Sequence, residues 1–158
     1  MQKSVICVTL LLLVQVSICS AAGTDHKALY YPGDYNGKTL VFAKAKIGGA
    51  ILKNSRTGLY GLNVEIAGKY TPGFLYKNQL NFVVVSSDLA HKLTNQLTRN
   101  SKYLKPRHEQ NLMDHLNSEL ARPVRLTAKI EKLFGYWVAA VSKVEFYNND
   151  GAITDTVR

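Results

Sequence analysis

The chain has 158 residues, with 20 lysines and arginines against 11 aspartates and glutamates, and a formal net charge of +9. Its only cysteines, Cys7 and Cys19, precede Ser20, which excludes a disulfide-stapled fold or thiol chemistry in the rest of the chain. The length suits one domain with its own core.

Lys3 followed by the apolar run Val5 to Ile18 and the small residues of "CSAAG" predicts a secretory leader over residues 1–21, cleaved after Ala21 or Ala22. The run is too short for a spanning helix. Lipid anchoring at Cys19 is disfavoured by bulky Ile18. The expectation is a secreted or periplasmic protein with no transmembrane segment after cleavage. Residues 22–37, "AGTDHKALYYPGDYNG", are polar and turn-rich apart from their tyrosines and read as an N-terminal arm.

A domain is expected over residues 38–147. Lys38 to Lys53 reads as a long strand with Val41, Ala43, Ala45 and Ile47 on one face and Lys44 and Lys46 on the other; Gly48-Gly49 marks a bulge or bend. After the turn "NSRTG", Gly58 to Tyr70 alternates as a second strand, Tyr60, Leu62, Val64 and Ile66 against Asn63 and Glu65. "QLNFVVVS" is a third. The spacing then turns helical over residues 87–120. Ser86 or Ser87 serves as cap, with Leu89, Leu93 and Leu97 on one helix and Leu112, Met113, Leu116 and Leu120 on another that opens near Pro106. Val124 to Glu131 and Tyr136 to Tyr147 form a hairpin about Gly135, the second strand apolar on both faces at its start. Residues 148–158 read as a loose tail.

Strand, strand, strand, helical insertion, strand, strand is an order that resembles the OB-fold, a mainly β five-stranded Greek-key barrel with helices between strands 3 and 4. The long first strand broken by paired glycines supports that resemblance. A half-open α+β sheet with helices on one face is the competing architecture. The resemblance implies a ligand surface made by the turn between strands one and two, the turn between strands four and five, and the face of strands two and three. Its residues here would be Lys53, Arg56, Tyr60, Phe134 and Tyr136, with both turns brought to one rim. Aromatics interleaved with cations suit stacking on a charged polymer. Secreted, basic, cysteine-free staphylococcal-type nucleases share the size and charge. Their calcium site needs clustered acids, and Glu65 is the only acid on strands one and two, so no catalytic residue carries over.

Acids are missing between Asp34 and Glu65, where Lys38, Lys44, Lys46, Lys53 and Arg56 fall, and between Asp88 and Glu109, where Lys92, Arg99, Lys102, Lys105 and Arg107 fall. Such runs make either a solvated face or an attraction to polyanions. His108 and His115 stand seven apart on one helix, too far for a shared metal; HExxH, CxxC and GxSxG are all absent. No cofactor, metal or catalytic set is therefore expected. The expected partner is single-stranded nucleic acid or an acidic or sugar-like polymer. The alternatives are an envelope structural or protein-interaction protein that uses its basic helical insert (Lys92, Arg99, Lys102, Lys105, Arg107) to dock on an envelope protein, and a hydrolase of unforeseen geometry.

Overall fold

The computed structural model describes residues 24–98 and 122–158. The leader, the second helix of the insert and Arg99, Lys102, Lys105 and Arg107 lie outside the described residues. A short helix α1 (Thr24–Ala28) and a 3-10 turn (Pro32–Tyr35) precede β1 (Thr39–Lys53), β2 (Tyr60–Ile66), β3 (Lys69–Thr71) and β4 (Asn81–Val84). Then come α2 (Ser87–Thr98), β5 (Arg122–Leu133), β6 (Tyr136–Tyr147) and β7 (Ile153–Val157).

β1 has two partners because it bends. Its first half pairs antiparallel with β5, from Thr39↔Lys129 to Ile47↔Arg122, and its second half with β2, from Ala45↔Ile66 to Lys53↔Tyr60. The β1–β2 register shifts between Gly48 and Leu52, where the paired glycines stand. A bulge there curls the strand and raises its twist. β2 pairs with β4, β4 runs parallel beside β6, and β6 pairs with β5, so the ring β1–β2–β4–β6–β5 closes. The result is a mainly β, closed five-stranded barrel with extra strands and few helices, an architecture compatible with an OB-like fold. In chain order α2 follows β4 and precedes β5. Among the described residues no helix is long and apolar enough to cross a membrane.

The barrel is filled by Phe42, Phe82, Phe146, Leu62, Val64, Leu126 and Ile130, all buried; Phe42 and Phe82 meet edge to face at 5.1 Å. α2 covers it with Leu89, Ala90 and Leu93, as its spacing predicts. The Ser86 hydroxyl accepts the Leu89 amide at 3.3 Å and caps the helix. The arm is anchored: Ala28, Leu29 and Tyr35 join the same core.

Three expectations change. On β1, Phe42 rather than Val41 is buried, and Ala43 is exposed, because a register shift between Phe42 and Ala45 inserts an unpaired residue and reverses the alternation. The strand read as Gly58 to Tyr70 breaks at Ala67-Gly68 (φ 49° and 79°), a left-handed two-residue turn that sends β3 back along β2. The tail read as loose forms β7. β4 supplies Val138 to Ala140 of β6 with partners and then departs, and β7 takes over from Val144↔Val157 to Tyr147↔Ile153. The Asn148 side chain accepts the Asp150 and Ala152 amides and folds the connecting turn.

Candidate functional site

β4 is buried along its whole length, so both of its faces must be covered. Phe82 and Val84 point into the barrel, while Val83 points outward and forms a second apolar cluster with Val138 of β6 and Leu59. Leu75, Leu133 and Tyr136 pack against it. This explains why the start of β6 is apolar on both faces. Three connections therefore meet on one outer patch: β1–β2 through Leu59, β3–β4 through Leu75, and β5–β6 through Leu133 and Tyr136.

The β3–β4 loop is held down backbone to backbone. A Cβ on Gly61 would lie 1.8 Å from the carbonyl oxygen of Gly73, so only glycine allows this crossing over β2. Two buried asparagines finish the attachment. The Asn63 Oδ1 accepts the Gly73 amide at 2.8 Å and the Tyr70 hydroxyl at 3.1 Å. The Asn81 Oδ1 accepts the Tyr76 amide at 2.8 Å; its Nδ2 donates to the carbonyls of Tyr76, Gln79 and Trp137 at 2.9, 3.1 and 2.9 Å. Burial, and then the neighbouring Tyr76, raise the Tyr70 hydroxyl above its ordinary range, so it stays a neutral donor to Asn63.

On this fixed base three large rings face solvent: Phe74 is 55 % exposed, Tyr76 50 % and Phe134 66 %. Phe74 and Tyr76 flank the anchored Leu75, and Phe134 stands between Leu133 and Tyr136. Lys77 is exposed beside Tyr76. Lys132 lies across from Trp137 on the neighbouring strand, its Nζ 5.7 Å from the indole centre. Neither lysine forms an ion pair among the described residues. The acids of the β2–β1–β5–β6 exterior are instead neutralised in place: Glu65 by Lys46, Glu131 by Lys129, and Glu145 by Arg125 and Lys143.

The sequence-derived site residues divide into two groups. Lys53 and Tyr60 pair across β1–β2 with the ammonium 5.6 Å from the ring centre, and Arg56 is exposed in the turn between them. The Asn54 side chain closes that turn by accepting the Arg56 and Thr57 amides at 3.1 and 3.0 Å. Phe134 and Tyr136 bracket Gly135 at the other turn. The two turns do not share a rim. Tyr60 pairs with Val84 at the far end of β4, whereas Val138, two residues after Tyr136, pairs with Asn81 at its start. Their common ground is the outer cluster, reached through Leu59 on one side and Leu133 and Tyr136 on the other. Lys92 is elsewhere: on α2 it pairs with Asp88 at 2.7 Å beside a cavity of about 610 Å³ between α2 and β7.

Phe74 and Tyr76 are the residues that sequence reasoning missed, since the expected ligand surface was built from the two hairpin turns and the face of strands two and three. The available signal was their place in "TPGFLYKN", a turn-rich stretch too polar to bury them. Among the described residues no group of histidines, cysteines and acids could hold a metal ion. The surface offers flat rings and ammonium groups on a base fixed by the outer apolar cluster and the two buried asparagines. No protein-family model, no curated protein and no solved structure matches this chain.

Proposed function

We propose that the protein is an exported, non-catalytic binding module on an OB-like barrel that holds a linear anionic polymer, single-stranded nucleic acid ahead of a sugar polymer. The observation that carries this reading is the trio Phe74, Tyr76 and Phe134, exposed from two connections fixed to the same apolar cluster and attended by Lys77 and Lys132. Stacking rings beside cations is how single strands are held without sequence preference. The cyclic strand order with one parallel junction supports the OB-like assignment, as does α2 in the link from the third to the fourth barrel strand. Export rests on the leader-like first residues.

The choice of polymer follows from hydrogen-bonding capacity. A sugar needs polar side chains around the ring it stacks on, to satisfy its hydroxyls. Asn63 and Asn81 are buried and committed to backbone groups and the Tyr70 hydroxyl, which leaves Asn78 as the exposed amide of residues 74–79. One exposed amide beside three ring faces and two ammonium groups suits bases and phosphates better than a sugar's hydroxyls.

Fluorescence anisotropy with labelled oligothymidylate tests the proposal. Binding should be measurable at low salt and fall as salt rises, by a log–log slope of about 0.7 per neutralised phosphate. Replacing Phe74 and Phe134 together with alanine should weaken it about tenfold or more without changing the melting temperature appreciably. Binding that ignores salt, or that survives the double replacement, overturns the reading. Size-matched heparin binding more tightly and independently of Phe74 would assign the surface to an acidic polysaccharide.

A further inference from the structure

We propose that the strand-binding surface continues beyond these rings onto the N-terminal arm, where Tyr31, Lys27 and Lys69 form a second subsite for the same single strand; this rests on the platform reading above. The arm is not a free peptide. Ala28 and Leu29 are buried in the barrel core, and the Tyr31 amide donates to the Lys27 carbonyl at 2.8 Å. Lys69, beside the β2–β3 turn, donates to the Leu29 carbonyl at 3.3 Å and places its Nζ 3.8 Å from the centre of the Tyr30 ring. A long flexible cation is thereby fixed at the surface without a carboxylate, and no acid pairs with Lys69 among the described residues. A lysine seated on a ring keeps its charge and its remaining donors for an incoming anion.

Tyr30 has little face left for a base, since Lys69 sits over it and His26 stacks on it at 6.4 Å. Tyr31 makes no ring contact among the described residues and is 65 % exposed on a backbone that is held. An aromatic of that size, left in water near two lysines that form no ion pair among the described residues, is the same pairing of ring and cation that marks the platform. The arm reaches the end of the barrel at which the Phe134 turn stands. Two residues after Tyr31, Gly33 lies against the Trp137 ring, 3.6 Å from a Cβ built on it; Trp137 carries Lys132 and packs against the barrel core, on the strand face opposite Tyr136. A strand leaving Phe134 would therefore turn over the barrel's end past Lys132 before reaching Tyr31. Lys27, Lys69 and Lys132 outnumber the exposed Asp34 on this path, a balance that favours a polyanion.

The experiment compares oligothymidylates of about 5 and about 15 nucleotides, lengths that bracket what one barrel of this size accommodates. The wild-type protein should bind the longer strand more tightly by more than the statistical gain from additional registers. Tyr31→Ala, and separately Lys69→Gln, should cost about tenfold on the longer strand and leave the shorter one unchanged, with unaltered melting. A Tyr31→Ala variant that keeps the full length dependence overturns the arm subsite and leaves the platform standing. Equal losses on both lengths overturn it too, because the arm would then act on the platform itself. If the wild-type protein binds neither length, the platform reading falls and the arm with it.

Discussion

Phe134 is held at φ 50° in the two-residue turn it shares with Gly135, in the left-handed region where an L side chain costs roughly 1–2 kcal/mol. Asparagine followed by glycine is the pairing that such a hairpin turn favours. Phe134→Asn should therefore raise stability by about 1 kcal/mol in urea unfolding while weakening oligothymidylate binding about tenfold. A variant that gains stability and loses the ligand would mark Phe134 as a ring kept for contact at the expense of folding. Glu145 is the opposite kind of residue. Arg125 grips it through Nε and Nη2 at 2.6 and 2.8 Å, and Lys143 approaches to 3.3 Å, on the outer face of β5 and β6. The Arg125 hydrogen bonds, then that of Lys143, hold its carboxyl down to about 2 against the pull of burial. Because the folded-state value is the lower one, the contribution is complete above pH 4.5 and is lost as pH falls through about 2. Allowing for the half-open position of Arg125, it amounts to about 2 kcal/mol. Between those pH values the wild-type protein should lose stability more steeply than Glu145→Gln, as followed by thermal melting in a pH series.

The β3–β4 loop, β4 and β6 act as one element because Asn81 bonds to all of them. Asn81→Ala would orphan the Tyr76 amide and the Tyr76, Gln79 and Trp137 carbonyls, at a cost of about 2–3 kcal/mol in urea unfolding. Oligothymidylate affinity should fall as well, since Phe74 and Tyr76 lose their support. Elements of this protein were legible in sequence where a periodic pattern met its natural boundary. Gly48-Gly49 gave the bend of β1, Ser86 with Leu89 and Leu93 gave α2, and the alternation around Gly135 gave the last hairpin. β7 was not legible, because four of its five residues are exposed and only Val157 is buried, so it carries no alternating signature. The strand exists because β6 has an edge to fill. The platform was hidden for a related reason. Leu59, Val83 and Val138 meet only once β4 lies between β2 and β6, and periodicity within one segment says nothing of which segments lie side by side. Phe134 and Tyr136 were found from the turn they flank; Phe74 and Tyr76 needed the loop's crossing over Gly61.

Among the described residues the charge is sorted rather than merely positive. Acids on the β2–β1–β5–β6 wall are absorbed in ion pairs, while Lys69, Lys77 and Lys132 stand beside aromatic rings without them. The ring of strands, however, is closed at one place only by neighbours in the parallel sense, β4 against β6, and there Asn81 reaches Trp137 across 56 positions of sequence. Hairpins such as β5–β6 form within microseconds, whereas contacts so distant along the chain come late in folding. Val83 and Val138 stand on either side of that seam, so the stacking surface has no precursor in any single hairpin: it comes into being when the cylinder shuts. In stopped-flow refolding from urea, capture of a labelled oligonucleotide should lag behind the recovery of strand ellipticity, making ligand capture a clock for the final step of assembly.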